Sequence, residues 1–155
     1  MKKYLLAVAT LFTVSVGLAQ KNTLYAEAGG NAFFGSLNYE RQLTKHPVLL
    51  VRAGIGLYVE GLTYLTTPVG VDYLFRLSGK PAFLDVGMGA TWSHTRKSRA
   101  GIDKGKFSDD FISYIPSVSY RVHTARGLMW RIGLTPVINR FTFVPWAGFS
   151  VGKRF

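Results

Sequence analysis

The chain has 155 residues, of which 48% are hydrophobic, 14% aromatic and only 17% charged, below the roughly 25% charged residues of typical soluble domains. This composition argues against an ordinary soluble domain, and the lack of cysteine excludes a disulfide framework and a lipid anchor on an N-terminal cysteine. The formal net charge of +11 favours an anionic partner, either nucleic acid or a negatively charged surface.

The first residues have the pattern of a cleaved export signal. Lys2 and Lys3 form a positive region, a short apolar stretch follows, and a small-residue cleavage motif ends at Ala19. The apolar stretch is too short to serve as a membrane-spanning helix. We therefore predict a signal peptide over residues 1–19 and one domain over residues 20–155. Export argues against nucleic acid and leaves phosphorylated outer-leaflet lipid as the natural counterpart of the positive charge.

Beyond the signal, apolar and polar residues alternate with a period of two, which is typical of β-strands with two different faces. No segment has helical periodicity or the apolar length of a transmembrane helix. The alternating runs, separated by turn residues, predict an all-β, eight-stranded antiparallel up-and-down transmembrane barrel. Its strands are predicted at residues 23–31, 34–43, 48–59, 64–77, 82–93, 111–122, 128–138 and 142–155.

The connections between these runs differ in length. Residues 44–47, 78–81 and 123–127 are short and rich in breakers or polar residues, as expected of periplasmic turns. The opposite end holds residues around Gly61 and 139–141, together with one long insertion from His94 to Asp110. We expect that insertion to be extracellular.

The distribution of polar residues along the strands distinguishes a membrane barrel from a soluble one. On the fifth run Leu84, Met88 and Trp92 share one face, whereas Asp85 and Thr91 share the other. Charges in mid-strand on the polar face predict that this face is inside and that the apolar face meets lipid. We also expect aromatic belts near the two rims. They comprise Tyr39, Tyr73, Phe75, Tyr120, Trp130 and Phe155 at one end, and Trp92, Tyr114 and Phe143 at the other.

The inward face collects acidic and basic residues in equal number. A charge buried alone costs several kcal/mol, so we predict that these side chains form an interior ion-pair network. An ion or proton path, and hence a narrow pore, is the alternative. Glycine two residues after several of these charges is expected to make room for them. The predicted network comprises Glu27, Glu40, Arg52, Asp72, Arg76, Asp85, Arg121 and Arg131.

Prolines 68, 116, 136 and 145 fall within predicted strands, where each removes a backbone donor. A closed barrel has no free edge to accommodate them. We expect β-bulges near the outer rim at these positions.

Several segments resemble the small outer-membrane barrels of the OmpA and OmpX type, and more specifically the outer-membrane β-barrel domains of Bacteroidetes-type bacteria. The resemblance covers most of the predicted mature chain and implies a fold and an outer-membrane location, but no particular activity. The segments that carry it are residues 25–31, 37–41, 52–56, 67–71 and 145–149, together with the terminal Phe155.

Catalytic chemistry has little support in the sequence. An outer-membrane lipid-modifying enzyme of the acyl hydrolase type needs a nucleophile, a base and an orienting acid near the outer leaflet. Ser93 and His94 are adjacent and so point to opposite faces, while a loop serine, Ser98 or Ser108, would need Asp109 or Asp110 to orient the histidine. We expect no enzyme, no cofactor and no metal site.

The long insertion carries a cluster of basic residues with one acid among them. We expect it to lie near lipid phosphates, where lipopolysaccharide or another surface polyanion is the specific partner. Loops with no single ligand are the alternative. The basic residues are Arg96, Lys97, Arg99, Lys104 and Lys106.

The last run ends on Phe155, with Phe149 and Val151 on the same lipid-facing parity. This resembles the C-terminal signal that barrel-insertion machinery reads. Lys153 occupies a place where that signal has an apolar residue. We therefore predict that recognition by the machinery depends on Phe155. The sequence does not indicate an oligomeric state.

Overall fold

The computed structural model describes residues 22–44, 48–60, 62–78, 80–94, 111–139 and 143–155. The predicted signal peptide and the basic insertion lie outside these ranges. Within them, no helix is long and apolar enough to cross a bilayer.

Ten hydrogen-bonded segments form the eight predicted strands, because the last two strands are each interrupted once. Boundaries agree with the alternating runs to within two residues or so, as expected where side chains of opposite character define two faces. The segments are β1 (Asn22–Gly29), β2 (Gly35–Gln42), β3 (Val48–Glu60), β4 (Leu62–Arg76), β5 (Ala82–His94), β6 (Phe111–His123), β7 (Leu128–Leu134), β8 (Val137–Ile138), β9 (Phe143–Val144) and β10 (Ala147–Arg154).

Every strand pairs with its sequence neighbours, and β1 pairs with β10 to close the cylinder. All of the pairings are antiparallel, so the fold is the predicted up-and-down barrel of eight strands. We call the end with the β2–β3, β4–β5 and β6–β7 connections the turn end, and the opposite end the loop end. The first residue of β1 and the last residue of β10 both lie at the turn end.

The two faces of the wall have the predicted character. Ile55, Met88 and Ile132 point outward and are exposed, whereas Arg52 and Asp85 point inward and are buried. Such a surface is inverted relative to a soluble barrel, in which apolar residues fill the inside.

Exposed aromatic side chains occur near both rims. Tyr39 and Phe75 lie toward the turn end, and Trp92, Tyr114 and Phe143 lie toward the loop end. Trp and Tyr favour the interface between lipid and water because their rings are apolar and carry a polar tip. The belts therefore mark a band of outer surface suited to a bilayer.

The prolines are accommodated without the bulges that the sequence suggested. Val118 pairs with Leu134, and Tyr114 pairs with Ile138, in one unchanged register, so no extra residue is inserted between these pairs. Likewise, β3 and β4 keep their register on both sides of Pro68. The expectation of bulges was wrong. The ladder instead loses hydrogen bonds locally, because proline has no N–H to donate.

Candidate functional site: the barrel interior

The interior contains an ion-pair network, defined here as Glu27, Glu40, Arg52, Asp72, Asp85, Arg121 and Arg131. The strands β1 to β7 present these side chains at inward positions, because mid-strand residues of one parity all face the barrel axis. Every member of the network is buried.

Arg121 is the centre of the network toward the turn end. Its guanidinium forms a two-pronged ion pair with Glu40, one prong of which is 2.8 Å long, and lies 3.3 Å from Asp85 Oδ2. Its Nε donates to His123 Nε2 at 2.8 Å. The planar arginine fork matches such an arrangement, because it has donors pointing in several fixed directions. Arg121 thereby joins β2, β5 and β6 across the barrel.

Arg131 joins a second group of strands. Its Nη2 donates to Glu27 Oε1 at 3.0 Å, and its Nη1 lies 3.5 Å from Asp85 Oδ2. The guanidinium carbon also lies 5.2 Å from the centre of the Tyr25 ring, within cation–π range. Asp85 consequently bridges Arg121 and Arg131.

Arg52 and Asp72 form the third pair, from β3 and β4. Arg52 Nε lies 3.0 Å from Asp72 Oδ2, and both side chains are buried. The geometry is that of a charge contact rather than a directed hydrogen bond, since neither atom meets hydrogen-bond geometry with a described residue.

Arg76 is not part of the network. It has inward parity but is exposed, because it is the last residue of β4 and stands at the turn-end rim. Four buried carboxylates therefore face only three buried arginines. Arg154, the last residue of β10, is half-buried at the same rim and interacts electrostatically with Arg121 and Glu40.

Inward glycines leave space for the charges, although for residues on neighbouring strands rather than for the charge two residues earlier. A Cβ added at Gly87 would overlap the Asp72 carboxylate, and one added at Gly70 would come within 2.6 Å of Arg52 Nε. A methyl group at either position would displace a buried ionic side chain.

The connection between β1 and β2 folds into the barrel at the loop end. We call residues 30–34 the inward turn. The backbone of Asn31 donates to Glu27 Oε2 at 3.2 Å and accepts from Thr91 Oγ1 at 2.6 Å. The inward turn therefore lies directly on the ion-pair network.

Phe33 of the inward turn belongs to an apolar cap, defined here as Phe33, Ile115 and Val137 with the partly buried Phe111 and Val144. The carbonyl oxygen of Phe33 accepts from Trp146 Nε1 at 3.2 Å. The cap adds hydrocarbon to the loop-end interior, where the hydroxyls of Thr66, Ser93 and Ser113 are also buried, whereas the network fills the middle with charge.

The remaining predicted residues lie in different places. Arg96, Lys97, Arg99, Lys104 and Lys106 fall outside the described residues. Phe155 lies at the turn end with 67% of its surface exposed, and its backbone exchanges two hydrogen bonds with Asn22, of 2.8 and 2.9 Å.

Ser93 and His94 do not form a nucleophile and base pair. Ser93 is buried on the inward face, and its hydroxyl has no hydrogen-bond partner among the described residues. His94 lies with its ring centre 6.2 Å from that of Trp92, an outward residue. Over the same residues there is no group of His, Cys, Asp or Glu suited to holding a metal ion.

Two kinds of interior residue escaped the sequence analysis. His123 and Tyr25 share the inward parity of Arg121 and Glu27, so following the alternation to the strand ends would have found them. Asn31, at the end of the predicted strand 23–31, has the parity of Glu27 and could have been found in the same way. Phe33 lies between two predicted strands, and nothing in the sequence places it inside.

Neither the family models nor the curated proteins contain a match to this sequence. Solved structures do match it. The N-terminal β-barrel domain of Pseudomonas aeruginosa OprF gives a TM-score of 0.63 at 10% identity, covering 88% of this chain and 96% of that one. Yersinia pestis outer membrane protein Ail, in a phospholipid bilayer nanodisc, gives 0.56 at 10% identity over 88% and 98%. A major outer membrane protein from Thermus thermophilus gives 0.54 at 14% identity over 89% and 100%. The chain therefore has the fold of small eight-stranded outer-membrane β-barrels.

Proposed function

We propose that the protein is an integral outer-membrane barrel with a closed interior and a structural role in the cell envelope. The observation that carries this proposal is the filling of the interior at two levels, by the ion-pair network and by the apolar cap. An eight-stranded barrel is just wide enough for side chains to fill it, so the two layers leave little room for an aqueous channel. The turn end would face the periplasm.

Two features of the outside support the membrane location. Large apolar side chains cover the outward face of the wall, and a soluble protein exposing such a surface would associate or precipitate. Among the described residues, the charges with lipid-facing parity, Arg41 and Lys153, lie near the turn end, where the cost of a charge facing lipid falls toward zero.

Electrical recording in planar bilayers tests the closed interior. We expect the refolded barrel to show no steady ion conductance, and a variant that shortens the cap, Phe33→Ala, also to remain closed because the network beneath it is intact. A steady, ion-selective conductance in the parent protein would contradict the proposal and support the narrow-pore alternative.

For the insertion between β5 and β6 we propose contact with lipopolysaccharide phosphates. The support is its sequence: Arg96, Lys97, Arg99, Lys104 and Lys106 are interrupted by one acid, Asp103. The strand ends that flank it, His94 and Phe111, lie at the loop end, opposite Asn22 and Phe155, which is compatible with the outer leaflet.

Charge reversal tests this second proposal. Arg96→Glu, Lys97→Glu and Arg99→Glu together should weaken binding of purified lipopolysaccharide to the barrel in detergent, most strongly at low salt, because exposed charges are screened as ionic strength rises. Arg76→Glu, Lys80→Glu and Arg126→Glu together, at the exposed turn end, provide the matched control. Equal losses of lipopolysaccharide binding in the two variants would mean that binding depends only on net charge. That outcome would contradict a specific role of the insertion.

A further inference from the structure

Three prolines lie side by side on adjacent strands, and we call them the proline row. The register that pairs Val118 with Leu134 and Tyr114 with Ile138 places Pro116 opposite Pro136. The register of β7 with β10 and of β8 with β9 places Pro145 opposite Pro136 on its other side. None of these prolines has an N–H, so three neighbouring strands lack a donor at one level.

The wall is consequently interrupted between β6 and the β7–β8 strand. Residues 115–117 form no ladder pairs with residues 135–137, although pairing is present above and below. Ser117 and Thr135 lie opposite each other across this interruption, and both are 4% exposed. Neither hydroxyl has a hydrogen-bond partner among the described residues, so side chains do not replace the missing ladder bonds.

The edge of the interruption nearer the loop end is apolar on both sides, whereas the hydroxyls of Ser117 and Thr135 line the inner side of its other edge. Ile115 and Val137 of the apolar cap lie immediately inside it. On the outside, the flanking residues Tyr114, Leu134 and Ile138 are exposed on the face that meets lipid. A hydrocarbon chain crossing the wall at this edge would pass from the apolar outer surface to the apolar cap. Along the ion-pair network, a chain crossing the wall would meet buried charges instead.

Phe33, which completes the cap, is held in a strained backbone. Its φ of 72° and ψ of −70° are those of a γ-turn with positive φ, and Phe34 N donates to Ala32 O at 3.1 Å across it. This conformation is rare and strained for a residue with a side chain. Such strain persists only where the surrounding structure holds it, and the Phe33 ring is buried in the cap. An apolar ligand that took the place of the ring would keep the burial and release the strain.

We propose that the proline row is a lateral port: an acyl chain of a lipid in the surrounding outer leaflet enters between β6 and β7–β8 and packs against Ile115 and Val137 in place of the Phe33 ring. The position of the row, in the loop-end half of the barrel, corresponds to the outer half of the membrane. This inference rests on the proposed membrane location and goes beyond the proposed structural role.

Photolabelling tests the port. The barrel is refolded into vesicles of phosphatidylcholine that carries a diazirine near the middle of one acyl chain, and labelled residues are located by mass spectrometry. We expect label on the inward residues Ile115 and Val137 as well as on the outward residues Val118 and Leu134. Phe33→Ala should raise the inward labelling severalfold and leave the outward labelling unchanged.

Restoring the backbone donors should close the port. Pro116→Val with Pro136→Val is expected to reduce inward labelling to background, and Pro136→Val alone is the substitute where the double variant does not refold. Pro68→Val is the matched control, since Pro68 interrupts pairing between β3 and β4 and lies outside the proline row. It should leave the labelling pattern of the parent unchanged.

The outward residues separate failure of the port from failure of the membrane location. Label on Val118 and Leu134 with none on Ile115 or Val137, in the parent and in Phe33→Ala, would overturn the port and leave the barrel in the membrane. Inward labelling that persists in the proline variants would overturn the proposal that the acyl chain enters at the proline row. No label on either face would overturn the membrane location itself. Inward labelling by a free diazirine fatty acid but not by the phospholipid would contradict entry from the bilayer.

Discussion

The middle of the barrel and its loop end are enclosed by the same strands but differ in the side chains that fill the interior. In the middle, Arg121 and Arg131 tie several strands together through buried carboxylates. At the loop end, the apolar cap fills the space beside an interrupted wall. The first region depends on paired charges and the second on the packing of hydrocarbon.

This difference predicts that the two regions respond differently to substitution. Charges in the network pair with one another, so removing one leaves its partner buried without that pairing. Apolar contacts in the cap are not directional, and one hydrocarbon group can replace another of similar volume at small cost. A place where a side chain exchanges with a ligand therefore belongs in the cap.

The largest effect that would separate the two regions is expected at Arg121. Arg121→Leu leaves Glu40 and Asp85 without their main partner and should lower the free energy of unfolding by about 3 to 5 kcal/mol. Arg76→Leu, at an exposed rim position, should change it by less than about 0.5 kcal/mol. Urea unfolding of the refolded barrels in lipid vesicles measures both. Similar losses in the two variants would mean that the network contributes no more than a rim charge.

A smaller loss of stability is expected in the cap. Which of two Phe33 variants is the more stable depends on the backbone conformation at that position. Phe33→Ala should cost about 3 kcal/mol, because the ring is 8% exposed and leaves a cavity. Phe33→Gly should cost about 1 kcal/mol less than Phe33→Ala, because glycine adopts the φ of 72° without strain. At an ordinary strand position the glycine variant is less stable than the alanine variant. The same unfolding experiment decides, and a glycine variant less stable than the alanine variant would remove the argument from strain.

The smallest effect on stability is expected at Phe155, which belongs to neither of the two regions. Deleting Phe155 removes two backbone hydrogen bonds with Asn22 and should cost about 1 kcal/mol in the refolded barrel. Phe155→Ala keeps those bonds and should cost less. If Phe155 is the assembly signal, both variants should accumulate in the periplasm in a protease-sensitive form, which cell fractionation measures. If Phe155→Ala inserts normally, any insertion defect of the deletion variant results from its lost backbone hydrogen bonds. That outcome would contradict the proposed assembly signal.

Much of the wall follows from the sequence because period-two alternation specifies both the strands and their two faces. The inward placement of Asp85, Arg121 and Arg131 depends only on counting residues along a strand, and the structure brings those residues into contact. The same counting assigned Arg76 to the interior. It failed there because parity states which way a residue points but not how far the next strand extends to cover it.

Local sequence thus determined that the chain forms an eight-stranded barrel, which residues face inward and that inward charges of both signs must pair. Only the tertiary structure decided which charges pair, that Arg76 stays outside the network, that the inward turn enters the barrel, and that three distant prolines stand in one row. These depend on the relative register of strands far apart in the chain and on the space left inside the closed cylinder. Alternation along a single strand carries no information about either quantity.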